Sequence, residues 1–183
     1  MALAAQATEG ELYRPVLGAN PAHPSGWPVR VIVSSQTEAR HNRGLWAPTH
    51  LISIRAPATR LLSMIELPPE RHLELFFGDA TDPDAPDAAR PEAIDATFAF
   101  IDRLPPDAHL LIHCLRGIGR STALTLGILA RYVAPENAAA ELHALRPEAK
   151  PNRHVVGLCD AALGFKGKLA KQALRFPAKV WKA

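Results

Sequence analysis

Apolar residues in this chain fall in short, bounded runs separated by segments of helical period. Val29–Ser34 (VRVIVS), His50–Arg55 (HLISIR) and Arg71–Phe77 (RHLELFF) have the branched, alternating or near-continuous apolar pattern of buried and half-buried strands. His109–His113, with Leu110-Leu111-Ile112 at its centre, predicts a fourth strand. Between them, Thr37–Leu45 reads as a short helix. Pro91–Leu104 reads as a longer one, with proline at the start, where its missing N–H does no harm. Residues 121–133 (STALTLGILARYV) are apolar nearly all round, as in a helix enclosed by the core, and helices near 135–146 and 151–164 complete the series. Strands alternating with helices predict an α/β fold with a mostly parallel central sheet flanked by helices, and ligands in such sheets sit outside the carboxyl ends of the strands. Pro15, Pro21, Pro24 and Pro28 make residues 1–28 an irregular arm; residues 29–165 form the folded body and 166–183 a basic tail or helix.

Chemistry concentrates where the fourth strand meets the core helix, in His113-Cys114-Leu115-Arg116-Gly117-Ile118-Gly119-Arg120-Ser121. A loop at a helix N-terminus can turn its N–H groups inward to hold an anion, and Gly117 and Gly119 permit the backbone angles and close approach this requires. The phosphate-binding set is therefore Leu115, Arg116, Gly117, Ile118, Gly119 and Arg120. Arg120 supplies a planar, permanently charged fork suited to two phosphate oxygens. The positive field of the loop favours the thiolate of Cys114, and Ser121 can donate a hydrogen bond to that sulfur.

The pattern H-C-x-x-G-x-G-R-S resembles the signature of the cysteine-dependent protein tyrosine and dual-specificity phosphatases. The likeness extends to Leu145-Arg146-Pro147 followed by Pro151-Asn152-Arg153, similar to the Pro-Asn segment after the signature helices of that family. VIVSSQTEAR together with HLISIR resembles a small bacterial group of tyrosine-phosphatase-like proteins. The resemblance covers about residues 29–165 and implies a metal- and cofactor-free phosphomonoesterase of protein tyrosine phosphatase-like fold. Cys114 would attack phosphorus to form a phosphocysteine, with Arg120 on the phosphate oxygens and Ser121 easing departure of the thiolate. Two other functions stay open: an inositol-phosphate or phosphoinositide phosphatase, and a weakly catalytic phosphate-binding interaction module.

Expulsion of an alkoxide needs a general acid. In the family this is an Asp on a loop after the strand preceding the long helix, a place filled here by Phe76-Phe77-Gly78-Asp79-Ala80-Thr81-Asp82-Pro83-Asp84. Asp79 is the first candidate and Asp82 the alternative; Asp84 and Asp87 read as a solvated loop. His113, in the family, organises loop hydrogen bonds, and with Asn152 and Asp82 it is a supporting residue. Arg116 either favours multiply charged substrates or pairs with Asp79 or Asp82.

No histidines stand at metal-ligand spacing, so no metal is expected. Cys159 lies on the apolar face of its helix and reads as a core residue. Two cysteines make no disulfide framework, and no run approaches the roughly 20 apolar residues of a membrane span. The expectation is a soluble, cytoplasmic protein without membrane association. A net charge of +3 from 21 basic and 18 acidic residues is too mild to imply nucleic acid. The expected partners are phosphorylated proteins or small phosphomonoesters, with the oligomeric state open. The tail from Lys166 interleaves Leu169, Leu174, Phe176 and Trp181 with lysines, and predicts a last helix packed on the body with a basic outer face.

Overall fold

The computed structural model of the protein describes residues 14–15, 30–57 and 66–176. Four parallel strands, β2 (Arg30–Ser35), β3 (His50–Arg55), β4 (His72–Phe76) and β5 (His109–Cys114), form a sheet that a two-residue strand, β1 (Arg14–Pro15), extends antiparallel along β2. The strand order is β1-β2-β5-β3-β4. β5 therefore lies between two parallel neighbours, which is why its apolar run is uninterrupted: Leu110, Leu111 and Ile112 are all fully buried.

The two faces of the sheet are covered unequally. Alternate residues Ile32, Leu51 and Leu111 meet Ala39 and Trp46 of helix α1 (Gln36–Trp46) in a small cluster. The opposite face carries the main core, built with α2 (Pro91–Ile101), α3 (Arg120–Ala130), α4 (Pro135–Leu145), α5 (Arg153–Leu163) and α6 (Lys168–Ala173). All eleven residues of α3 are buried. Its threonine hydroxyls are satisfied within the helix and the loop before it: Thr125 Oγ1 donates to Ser121 O at 2.8 Å, and Thr122 Oγ1 to Ile118 O at 2.6 Å.

Several elements end earlier than their apolar pattern suggests. The helix expected over 121–133 stops at Ala130, and Arg131 and Tyr132 donate three residues back, to Ile128 O and Leu129 O, tightening the last turn. The helix expected to reach Leu104 stops at Ile101, with Arg103 and Leu104 bonded in the same way. The final core helix begins at Arg153, because Asn152 is its cap. Beyond the expected boundary at 165, α6 is part of the core through Leu169 and Ala173, while Lys168 and Lys171 face outward. Buried Asp160 holds the first turn of α6 by accepting from Gly167 N (2.7 Å), Leu169 N (2.7 Å) and Ala170 N (3.1 Å). Of the expected arm, only Arg14–Pro15 lies among the described residues; Trp181 and the rest of the tail after Phe176 lie outside them.

Candidate active site

The parallel register brings the carboxyl ends of β2 and β5 side by side, with Ser35 opposite Cys114. The loop from Leu115 to Gly119 starts there and packs directly on β2. Gly117 has φ +71°, and a Cβ at this position would collide with the backbone of Ser34 and Ser35, so both conformation and space require glycine. Two further backbone bonds hold the loop to the segment before α5: Lys150 N donates to Ile118 O at 2.7 Å and Asn152 N to Gly119 O at 3.2 Å.

This loop closes around the Cys114 sulfur. Gly117 N–H donates to Sγ at 3.2 Å, and Ser121 Oγ hydrogen-bonds it at the same distance. The sulfur lies at the N-terminal end of α3, where the helix dipole is positive. Arg120, the first residue of α3, is 6% exposed; its Nη1 donates to Phe77 O at 2.9 Å, while its buried Nε has no partner. Phe77 follows β4 and leads into the acidic loop, so Arg120 ties that loop to the start of α3.

Asp79 and Asp82, the two candidate acids, stand in different settings. Asp79 packs against Gly119, where a Cβ would come within 2.6 Å of its Oδ2. Asn152 Nδ2 donates to Asp79 Oδ1 at 2.9 Å and to Ala80 O at 3.1 Å. Asp82 instead accepts from Asp84 N at 3.0 Å within its own exposed turn. The loop is held further by Gly78 N to Asp87 O at 2.6 Å, and by His154 Nε2 against Ala89 O at 2.8 Å.

A cleft of about 430 Å³ opens beside this assembly, lined by Asp79, Arg116, Ile118, Gly119, Lys150, Asn152 and Arg153 among others. Neither acid candidate takes up Arg116, which is exposed and makes no ion pair among the described residues. Leu115 is 53% exposed at the mouth of the loop. The cation-rich rim thus includes Lys150 and Arg153, which sequence reading did not single out, since both come from the segment that folds back onto the loop.

His113 turns to the sheet, where its Nε2 hydrogen-bonds Ser53 Oγ at 2.8 Å. Burial, and next the adjacent His72, push its pKa down to about 4, against a smaller upward pull from the Cys114 backbone. Beneath the loop, Ser35 and Glu38 form a capping box on α1, and Glu38 takes a bidentate contact from buried Arg146 at 2.9 and 3.0 Å. Burial works against the Glu38 carboxylate, but bonds from Arg146 and Ser35 outweigh it and lower the pKa. Arg146 Nε also lies 2.9 Å from Glu148 Oε1, off the line of a hydrogen bond. The sequence Ser35-Gln36-Thr37-Glu38 displays this cap openly; its link to Arg146 spans too much chain to be read there. Cys159 is fully buried and its thiol is pushed up to about 12 by burial and then by Asp160.

Among the described residues, no group of three or more His, Cys, Asp or Glu side chains is placed to hold a metal, and no helix is long and apolar enough to cross a membrane.

No protein-family model and no curated protein sequence matches the chain. Solved structures do. Human tyrosine phosphatase-like serine/threonine/tyrosine-interacting protein is similar at TM-score 0.59 and 20% identity, over 74% of this chain and 92% of that one. The PTP-2 phosphatase of Cydia pomonella is similar at 0.57 and 18%, over 72% and 84%. DUSP15 is similar at 0.56 and 21%, over 92% and 98%. The chain has the fold of the tyrosine and dual-specificity phosphatases. These structures lend no support to the narrower bacterial resemblance.

Proposed function

We propose that the protein hydrolyses phosphomonoesters through a phosphocysteine on Cys114, as protein tyrosine and dual-specificity phosphatases do. The observation that carries this reading is the convergence of Gly117 N–H and the Ser121 hydroxyl on Cys114 Sγ, each at 3.2 Å, in a glycine loop with Asp79 tethered against it. Two donors on one sulfur stabilise its anion as nucleophile and as leaving group.

In the reaction the thiolate attacks phosphorus in line, forming the S–P bond as the P–O bond to the leaving group breaks. Loop amides and the Arg120 guanidinium hold the three equatorial oxygens. Arg120 reaches them by exchanging its contact with Phe77 O for the phosphate, or by adding Nε, which has no partner of its own. Asp79 gives its proton to the departing oxygen. It then accepts one from the water that attacks phosphorus, and the S–P bond breaks with the sulfur leaving as thiolate toward Ser121. No metal or cofactor takes part. The acid is Asp79 because it alone of the two candidates lies against the glycine loop.

The substrate class we favour is phosphorylated protein, in keeping with the fold's solved examples. The cleft rimmed by Arg116, Lys150 and Arg153 favours further negative charge near the phosphate, a feature that phosphoinositides share. The name of the human structure, a phosphatase-like interacting protein, keeps a non-catalytic phosphate-binding role as the second reading. Residues 29–165 with α6 are the unit we assign to this activity, in a reducing, cytoplasmic compartment. The test is turnover of phosphotyrosine and phosphothreonine peptides, phosphoinositides and an aryl phosphate. Cys114→Ser abolishes every activity while inorganic phosphate still binds, and chelators have no effect. Hydrolysis that survives Cys114→Ser, or that needs an added divalent metal, contradicts the proposal.

A further inference from the structure

Three polar side chains stand in a row across the sheet behind the reactive thiol. Leu51 and Leu111 pack in the α1 cluster, so Ser53 and His113, two residues further along their strands, share that face. Ser53 and His113 are direct cross-strand partners. Ser53 Oγ lies 2.8 Å from His113 Nε2 and 2.9 Å from Nε2 of His72, the first residue of β4. Ser53 and His113 are buried, and His72 is half-buried at the solvent edge.

A hydroxyl has one proton, so Ser53 donates to one ring while the other ring donates to it. The row therefore runs in one of two directions. From His72 through Ser53 to His113, the proton of the neutral His113 ring is on Nδ1; in reverse, Nδ1 is bare. Nδ1 is buried without an aligned hydrogen bond, in the residue joined to Cys114. A protonated His72 is a donor at both nitrogens and keeps both bonds of the row only in the first direction.

We infer that His72 is a positioning residue for Cys114: through Ser53 it selects which nitrogen of His113 carries the proton, so that titration of His72 alters the reactivity of the thiol. The inference rests on Cys114 as the nucleophile proposed above, and its readout is the thiol itself. Among the described residues, the charged and titratable groups acting on His72 are Glu74 on its own strand, Arg55 on β3 and His113 on β5. Burial lowers the His72 pKa, Glu74 opposes this, and Arg55 adds to the lowering. His113 is buried and His72 half-buried at the solvent edge, so a proton entering the row as pH falls goes first to His72.

The experiment is the rate of alkylation by iodoacetamide, a neutral probe, across about pH 5 to 8, the range in which histidine charge changes. Cys159, with its thiol at about 12, contributes nothing. The wild-type profile is expected to show two inflections, one of them below the ordinary histidine range. His72→Gln, whose amide can offer Ser53 either an N–H donor or a carbonyl acceptor, cannot titrate, and it loses the lower inflection. His72→Leu and Ser53→Ala lose that inflection and also change the neutral-pH rate by about threefold or more, the equivalent of half a pKa unit. A wild-type profile with a single inflection, or a His72→Gln profile that keeps both, overturns the inference. Because no phosphate ester is present, a protein inert as a phosphatase still answers the question.

Discussion

Asn152 joins Asp79 to the start of α5: its Nδ2 donates to Asp79 Oδ1 at 2.9 Å, and its Oδ1 accepts from Val155 N at 3.1 Å. One side chain thus caps α5 and holds Asp79 in place, and the two roles can be separated. Asn152→Asp keeps the cap acceptor, removes the donor and sets a like charge beside Asp79. Hydrolysis of alkyl phosphates falls by about tenfold or more. Asn152→Ala loses the cap as well and costs about 1 kcal/mol in denaturant unfolding. Turnover unchanged in both variants would remove Asn152 from the site.

The acid itself is tested by leaving-group dependence. Asp79→Asn is expected to slow alkyl phosphate hydrolysis by about 10²- to 10⁴-fold, with a much smaller loss on an activated aryl phosphate. Asp82→Asn, which disturbs only the turn around Asp84, leaves both substrates nearly unaffected. The reverse pattern assigns the proton to Asp82.

Arg120→Lys preserves charge and loses geometry. A point ammonium can neither grip two phosphate oxygens nor keep the 2.9 Å bond to Phe77 O that ties the acid loop down. We expect kcat/KM to fall by more than about tenfold, a loss above roughly 1.4 kcal/mol. Retention of a third or more of wild-type kcat/KM would mean that the loop does not hold phosphate in this way.

The buried histidine has a consequence for folding. His113 titrates at about 4 in the folded state against about 6.5 unfolded, so the unfolded chain binds the proton more readily. Its contribution is complete above pH 6.5 and is lost as pH falls toward 4, an effect of about 3 kcal/mol. The half-buried His72 works in the same direction. Urea unfolding of wild type between these pH values shows the decline, and in His113→Asn the slope is shallower. Equal slopes would place the ring in a solvated setting.

The sheet, the glycine loop and the all-round burial of α3 were legible because each is written in contiguous residues: Leu110-Leu111-Ile112, Gly117 with Gly119, and the largely apolar run after Ser121. Helix ends were less so, since the three-residue bonds that close α2 and α3 leave no mark in the apolar pattern. What the sequence hid was contact across distance. Asp79 and Asp82 differ by three positions and look alike until Gly119 and Asn152 come within reach of one of them. Ser53 and His72 carry no motif, and only the register of three adjacent strands sets them behind His113. Lys150 and Arg153 join the rim because Lys150 N bonds the Ile118 carbonyl.

The central claim is a covalent bond between phosphorus and the Cys114 sulfur. The most direct measurement is acid quenching of Asp79→Asn during turnover of an aryl phosphate, followed by mass spectrometry of the peptide containing Cys114. In that variant the intermediate forms without help from the acid and breaks down slowly for want of the base. The account predicts one added phosphoryl group on Cys114, absent when Cys114 is replaced by Ser. Turnover with Cys114 unmodified, or a phosphoryl group on another residue such as a histidine, would contradict it.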